Sequence, residues 1–190
     1  MQKRDRSAEL EEIFQQLYDE YFRDIYHYVA YSVSRRQDAE DLTQEVFVKA
    51  YRGLANFRGD SELKTWLFAI ARNTIRNWIA RKKPLPVTED ELLWQLPESG
   101  NRPEDHLEEQ EALEKLYVVL GRLKESYRQV ILLRGLQGFS VKETAEIMDC
   151  TETKVKVTHF RALRKLRSLL QDDPTFPIAL TQLPSKEVGT

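Results

Sequence analysis

Ile13, Leu17, Tyr21, Ile25 and Tyr28 step along the chain by three and four positions, and Ala39, Leu42, Val46, Ala50 and Leu54 do the same. A spacing near 3.6 lines one face of a helix, and no two-residue alternation competes with it, so the N-terminal block predicts helices and no strands. The run Phe57-Arg58-Gly59-Asp60-Ser61 breaks the pattern, and Asp60 or Ser61 offers a cap for a third long helix over roughly Glu62 to Lys83. On that helix Arg72, Arg76 and Lys83 share a face, while Trp66, Ile70 and Trp78 lie elsewhere. Core packing is the first reading for each tryptophan.

The period returns near the other end, with different punctuation. Ser140 followed three residues later by Glu143 is a capping box, which predicts a helix starting at Val141. Ala145 is small enough for a second helix to cross closely, Ile147 and Met148 face the core, and Asp149 stands where a tight turn wants a left-handed residue. Val155, Ala162, Leu166 and Leu169 or Leu170 then recur at helical spacing and bury one stripe. Lys154, Lys156, Arg161, Arg164, Lys165 and Arg167 stay outside. A lone basic helix is ordinarily just a solvated face. A capped partner helix and a short turn before it make a helix-turn-helix, whose second helix fits the major groove with its early residues toward base edges.

Charge sharpens this picture only when taken by segment. The whole chain of 190 residues carries a net charge of −2, but residues 1 to 83 carry +2, residues 84 to 112 carry −8, residues 113 to 171 carry +6 and residues 172 to 190 carry −2. The acidic strip also holds Pro84, Pro86, Pro97, Gly100 and Pro103, so it predicts a linker between two domains. It serves as a solvated spacer or lies against a basic channel on a partner, and the residues leave both readings open. Trp94, among Leu92, Leu93 and Leu96, points to part of the linker docking on something apolar. The tail from Asp172, with prolines at 174, 177 and 184, predicts loose order.

Composition excludes several classes. No stretch approaches the roughly eighteen apolar residues of a membrane span, and the N-terminus lacks an apolar signal core, which predicts a cytoplasmic chain. The single Cys150 allows no internal disulfide and no metal cluster. His27, His106 and His159 lie in three separate segments, and no glycine-rich phosphate loop or metal-ligand spacing occurs, so neither an enzyme nor a cofactor is expected. Asp38, Glu40, Asp41 and Glu45 share one helix and read as a solvated or partner-facing surface. A receiver-domain regulator would need strands that the N-terminal block lacks. A helix-turn-helix regulator that binds DNA without being a polymerase subunit is the remaining alternative.

Three blocks in order, DAEDLTQEVFVKAY (Asp38 to Tyr51), FRGDSELKTWLFAIARNT (Phe57 to Thr74) and the C-terminal helix-turn-helix, resemble the extracytoplasmic-function (group IV) sigma factors of bacterial RNA polymerase, over residues from about 10 to 170. The run TETKVKVTHFRALRKL is most similar to the sigma-X type of Bacillus relatives. The resemblance implies an all-α chain of two small helical domains joined by a flexible acidic linker: residues 7–83 melt and bind the minus-10 element, 84–107 form the linker, 108–171 read the minus-35 element, and 172–190 are the tail.

The same resemblance implies the contacts. Asp41, Gln44, Glu45 and Lys49 would meet the beta-prime subunit of core polymerase, with the beta subunit also a partner. Phe57, Arg58, Gly59, Asp60, Ser61 and Thr65 would form a pocket for a base flipped from the melted minus-10 strand, Asn73 would touch that strand, and Arg72, Arg76 and Lys83 would hold its phosphates. Lys154, Lys156, Val157, Phe160, Arg161, Arg164 and Lys165 would meet duplex DNA at minus-35. Family members often carry Gly-Thr-Val-Lys-Ser-Arg in the recognition helix, where this chain has Thr153-Lys154-Val155-Lys156-Val157-Thr158, so its promoter sequence is expected to differ. An anti-sigma factor, often membrane-anchored, is implied as a further partner that would hold the chain at the inner face of the membrane.

Overall fold

The computed structural model describes residues 2–33, 35–82 and 118–171. The predicted linker 84–107, with Trp94 and His106, and the tail 172–190 lie outside the described residues, as does Lys83. Among the described residues every regular element is helical. None of these helices is long and apolar enough to cross a membrane.

Helix α1 runs Gln2–Ala30, α2 Arg36–Leu54 and α3 Leu63–Lys82, and the three pack pairwise into a bundle. The stripe on α2 is buried as its spacing predicts, from Ala39 to Leu54, and it meets Leu17, Ile25 and Tyr28 of α1 and Leu67, Phe68, Ala71 and Ile75 of α3. The break after α2 is a turn in which Asn56 and Phe57 donate their amides to the carbonyls of Gly53 and Leu54, and Gly59 takes a left-handed φ of +75°. Helix α3 begins at Leu63, and the Glu62 carbonyl accepts from the Trp66 amide, so Glu62 occupies the cap position. The helix therefore starts one residue later than a cap at Ser61 would place it.

In the second unit, residues 118–121 are helical, α4 spans Glu125–Ile131, and its end widens into a π-turn over Leu132–Leu136. Arg128 fixes the entry to α4: its Nε donates to the Leu120 carbonyl at 3.0 Å and its Nη2 to the Gly121 and Leu123 carbonyls at 2.7 and 3.2 Å. The guanidinium thereby adds a donor at the end of the short helical turn, where the Leu120 carbonyl also accepts from the Leu123 amide. Helices α5 (Val141–Met148) and α6 (Glu152–Gln171) follow; α6 packs on α4, and α5 packs on α6 and on the π-turn.

The local chemistry of the α5 ends is what the sequence predicts. Ser140 Oγ accepts from the Glu143 amide at 3.2 Å, and the Ser140 amide donates to the Glu143 carboxylate at 2.7 Å. Hydrogen bonding to the Ser140 side chain, and then to its backbone amide, holds the Glu143 carboxyl below its ordinary range. Asp149 sits at φ 50°, ψ 58°, in the left-handed region. Its amide bonds to the Glu146 carbonyl while the Cys150 amide reaches back to Ala145, which is a Schellman closure with small Cys150 beside small Ala145. The lone cysteine is thus explained by packing. Replacing Asp149 by Gly removes a Cβ from a left-handed position and is expected to raise unfolding stability by about 1 kcal/mol, measurable as a higher denaturant midpoint, whereas Asp149→Val should lower it.

Candidate nucleic-acid and polymerase interfaces

Helix α6 opens on Thr151, whose Oγ1 accepts from the Lys154 amide at 3.3 Å and whose carbonyl accepts from Val155. With that start set, Val155, Ala162, Leu166 and Leu170 turn inward to near-complete burial. The opposite face follows by geometry. Lys154, Lys156, Arg161, Arg164 and Lys165 are exposed, and none of them forms an ion pair among the described residues. Five uncompensated cations on one helix face, and a helix N-terminus beside them, make a surface suited to phosphate. Val157 and Phe160 stand on this face at 43% and 53% exposure, so Phe160 does not pack against the preceding helix. Leu163 is exposed beside them and was not among the expected contacts, because a leucine at helical spacing reads as core until the stripe's phase is known. Arg167 is half-buried and already engaged.

His159, also on α6, is half-buried, and burial, followed by the Arg134 guanidinium, keeps its imidazole below the ordinary 6.5. Burial lowers His27 likewise. Among the described residues no cluster of His, Cys, Asp and Glu could hold a metal ion.

The second surface lies along α3 and the loop before it. Arg58, Gly59 and Asp60 are exposed and Ser61 partly so, while Phe57 is half-buried with its ring 5.1 Å from that of Trp66. Trp66 in turn fills the space over Gly53, where a Cβ would stand 3.1 Å from the indole. Phe57 and Trp66 are therefore the loop's support. Further along, Asn73 and Arg76 are exposed, and Arg72 is partly exposed with its Nη1 donating to Asn73 Oδ1 at 3.4 Å. At about 1.5 Å of rise per residue, Asn73 stands roughly 15 Å along the axis from the start of α3, so loop and cations form two stations on one strip. Thr65 does not belong to it. Its side chain is turned into the core at 2% exposure, one position off the strip.

The third surface is the outer face of α2, where Glu40, Asp41 and Gln44 are exposed. Glu45 and Lys49 form an ion pair of 2.6 Å, and Lys49 Nζ also donates to Thr74 Oγ1 of α3 at 3.0 Å. Lys49 thus braces α2 against α3 rather than standing free. Val48 and Tyr51, at 48% and 51% exposure, add an apolar centre to this acidic face, with the Tyr51 ring edge-on to Phe14 at 5.1 Å. A rim of charge around apolar side chains is how protein interfaces are commonly composed. Neither Val48 nor Tyr51 was expected there, although both lie off the Ala39 to Leu54 stripe, and that offset was the available signal.

Known families match the two helical units separately. The sigma-70 region 2 family matches residues 17–84 and the sigma-70 region 4 family residues 113–166. The sigma factor SigX of Bacillus subtilis is 33% identical over 85% of this chain and 86% of its own length. The sigma factor YlaC of the same organism is 37% identical over 80% of this chain and 88% of its own. The sigma-E factor of Escherichia coli is 36% identical over 76% and 82%. Among solved structures, the sigma factor RpoE of Bartonella quintana, crystallised with the anti-sigma factor NepR, superposes with a TM-score of 0.66 at 26% identity over 85% of this chain and 99% of that one. CnrH, in complex with the cytosolic domain of CnrY, gives 0.64 at 25% identity over 86% and 90%. The cationic groove-sized helix, the helix with an acidic outer face and the loop-and-cation strip thus occur in one chain whose both halves share sequence with these proteins, and it belongs to the extracytoplasmic-function sigma factors of the sigma-70 family, working as an RNA polymerase sigma factor.

Proposed function

We propose that this sigma factor engages core polymerase through the outer face of α2, opens the minus-10 element along α3 and reads minus-35 with α6. Residues 7–83 form the melting domain, 108–171 the minus-35 domain, and 84–107 the connection between them. The observation that carries this reading is the exposed face of α6, where five cations without partners among the described residues surround Val157 and Phe160. The chain acts by binding and positioning, with no catalytic group and no cofactor of its own. A plain DNA-binding regulator would have no use for the acidic face of α2 with Val48 at its centre. Two structurally similar proteins were solved in complexes, RpoE with the anti-sigma factor NepR and CnrH with the cytosolic domain of CnrY. We extend an anti-sigma partner to this chain, with the cytoplasm as its location and a membrane-held inhibitor as its anchor.

The test is polymerase capture. Glu45→Lys reverses the charge presented to the clamp of the beta-prime subunit, and Gln44→Ala with Glu45→Ala removes the polar contacts. Each variant should bind core polymerase at least tenfold more weakly. Loss of the Glu45–Lys49 pair is no confounder, since an exposed i, i+4 pair contributes about 0.3–0.5 kcal/mol, and thermal unfolding should be nearly unchanged. Wild-type affinity in both variants would remove α2 from the interface.

A further inference from the structure

Two surfaces with different partners meet at one ammonium group. On α2, Lys49 Nζ lies 2.6 Å from the Glu45 carboxylate, on the face proposed for polymerase. The same Nζ donates to Thr74 Oγ1 at 3.0 Å, on the helix that carries Asn73 and Arg76. Thr74 directly follows Asn73 and is turned inward to 1% exposure, while Asn73 faces solvent. Arg72, at the preceding position, donates to Asn73 Oδ1. A continuous run of bonded and adjacent groups thus leads from the Glu45 carboxylate to the Asn73 amide.

The need to satisfy a buried hydroxyl does not account for this arrangement. Thr43 and Thr65 Oγ1, in the same three-helix bundle, are buried with no hydrogen-bond partner among the described residues. The bundle tolerates elsewhere what Lys49 relieves at Thr74. Charge pairing does not account for it either, because Glu45 already stands one turn away on the same helix. What the bond to Thr74 adds is direction. Leu67, Phe68, Ala71 and Ile75 hold α3 in the bundle by an attraction that has no preferred direction, whereas a charge-assisted hydrogen bond is short and weakens steeply once bent. At the roughly 5–6 Å outer radius of a helix, turning α3 by about 10° moves a side chain by about 1 Å. That is enough to take a hydrogen bond out of range. We propose that Lys49 is a positioning residue for strand opening: anchored by Glu45 on the polymerase face, it fixes Thr74 and so holds Asn73 where it meets the minus-10 strand. The inference rests on the proposed use of α2 for polymerase and of Asn73 for that strand. Lys49 acts here through α3 and not by touching DNA.

The test is strand opening at saturating core polymerase, scored by permanganate reactivity at minus-10 in holoenzymes made with full-length variants. Thr74→Val removes the hydroxyl and keeps the shape of the side chain. Because Thr74 is buried, affinity for core polymerase and for a minus-35 duplex should match the wild type, and the melting temperature should not fall. Open complexes should drop by about two- to tenfold, the span of one hydrogen bond of ordinary net strength. Lys49→Met keeps the stem and loses the ammonium; it should give the same drop, and the two together no more than either alone. Thr74→Ser restores the hydroxyl and should open as the wild type does. In an Asn73→Ala chain, Thr74→Val should cost nothing further. Normal opening in Thr74→Val overturns the proposal. So does a loss from Lys49→Met that Thr74→Val does not reproduce, which would make Lys49 a direct contact, or losses that multiply in either double variant. The underlying reading fails separately: wild-type polymerase affinity in Glu45→Lys removes α2 from the interface, and normal opening in Asn73→Ala alone removes the strand contact, both measured without the Lys49 and Thr74 variants.

Discussion

Replacing Asn73 and Arg76 together by alanine should abolish strand opening at a promoter while leaving duplex binding at minus-35 intact. Both side chains are exposed on α3, so removing them should change folding stability by no more than about 0.5 kcal/mol. Opening is more demanding. Extruding a base from the duplex costs a few kcal/mol, returned by a pocket that stacks on it and bonds its edges and by cations on the displaced phosphates. Removing one strand contact and one phosphate contact withdraws roughly 2 kcal/mol or more from a balance of that size, enough to lower open complexes by at least about tenfold. Permanganate reactivity of thymines at minus-10 reports the open state, and gel shift of a minus-35 duplex reports the closed encounter. Phe57→Ala gives a different signature: because Phe57 rests on Trp66, its loss should lower both the melting temperature and opening. Normal permanganate reactivity in the Asn73→Ala, Arg76→Ala chain would place the pocket elsewhere.

On α6 the expected effects divide by position. Arg161 lies on the face with Val157 and Phe160, where a bidentate contact to guanine discriminates by about 1–3 kcal/mol per base. Arg161→Ala should flatten preference at particular minus-35 bases. Lys165, on the flank, is better placed for phosphate, so Lys165→Ala should weaken all sequences alike and reduce the salt slope by about one unit. Phe160→Ala separates the roles further. Exposed at 53%, it contributes little to the core, so stability should hold while binding at thymine-containing positions falls through loss of methyl contact. Binding to a library of minus-35 variants at several salt concentrations measures all three. A uniform loss for Arg161→Ala would mean that another face of the helix enters the groove.

What could be derived from the residues in order were the features that depend on near neighbours. The helix stripes, the Ser140–Glu143 box and the left-handed Asp149 each involve groups three to five positions apart, so their geometry follows from local spacing. The cation face of α6 belongs with them, since burying Val155, Ala162, Leu166 and Leu170 automatically turns Lys156, Arg161 and Lys165 outward. The family, too, could be named from motif order alone, because its blocks are short and local. Tertiary structure decided whatever depended on a distant partner. Thr65 and Ser61 differ little as letters, yet Thr65 is buried because the neighbouring helices select the phase of α3, while Ser61, in the turn before that helix, is partly exposed. Lys49 reads as a surface charge until Thr74 of α3 arrives to accept from it. Val48 and Tyr51 are exposed only because α1 and α3 cover the opposite side of α2. Gln129, a polar residue in a short helix, has no evident purpose in sequence; its partners Tyr28 and Ser32 lie about a hundred residues away, and only the fold brings an amide, a phenol and a hydroxyl into one buried ring. Periodicity constrains a residue's own helix, whereas burial of a polar group is set by what stands opposite it.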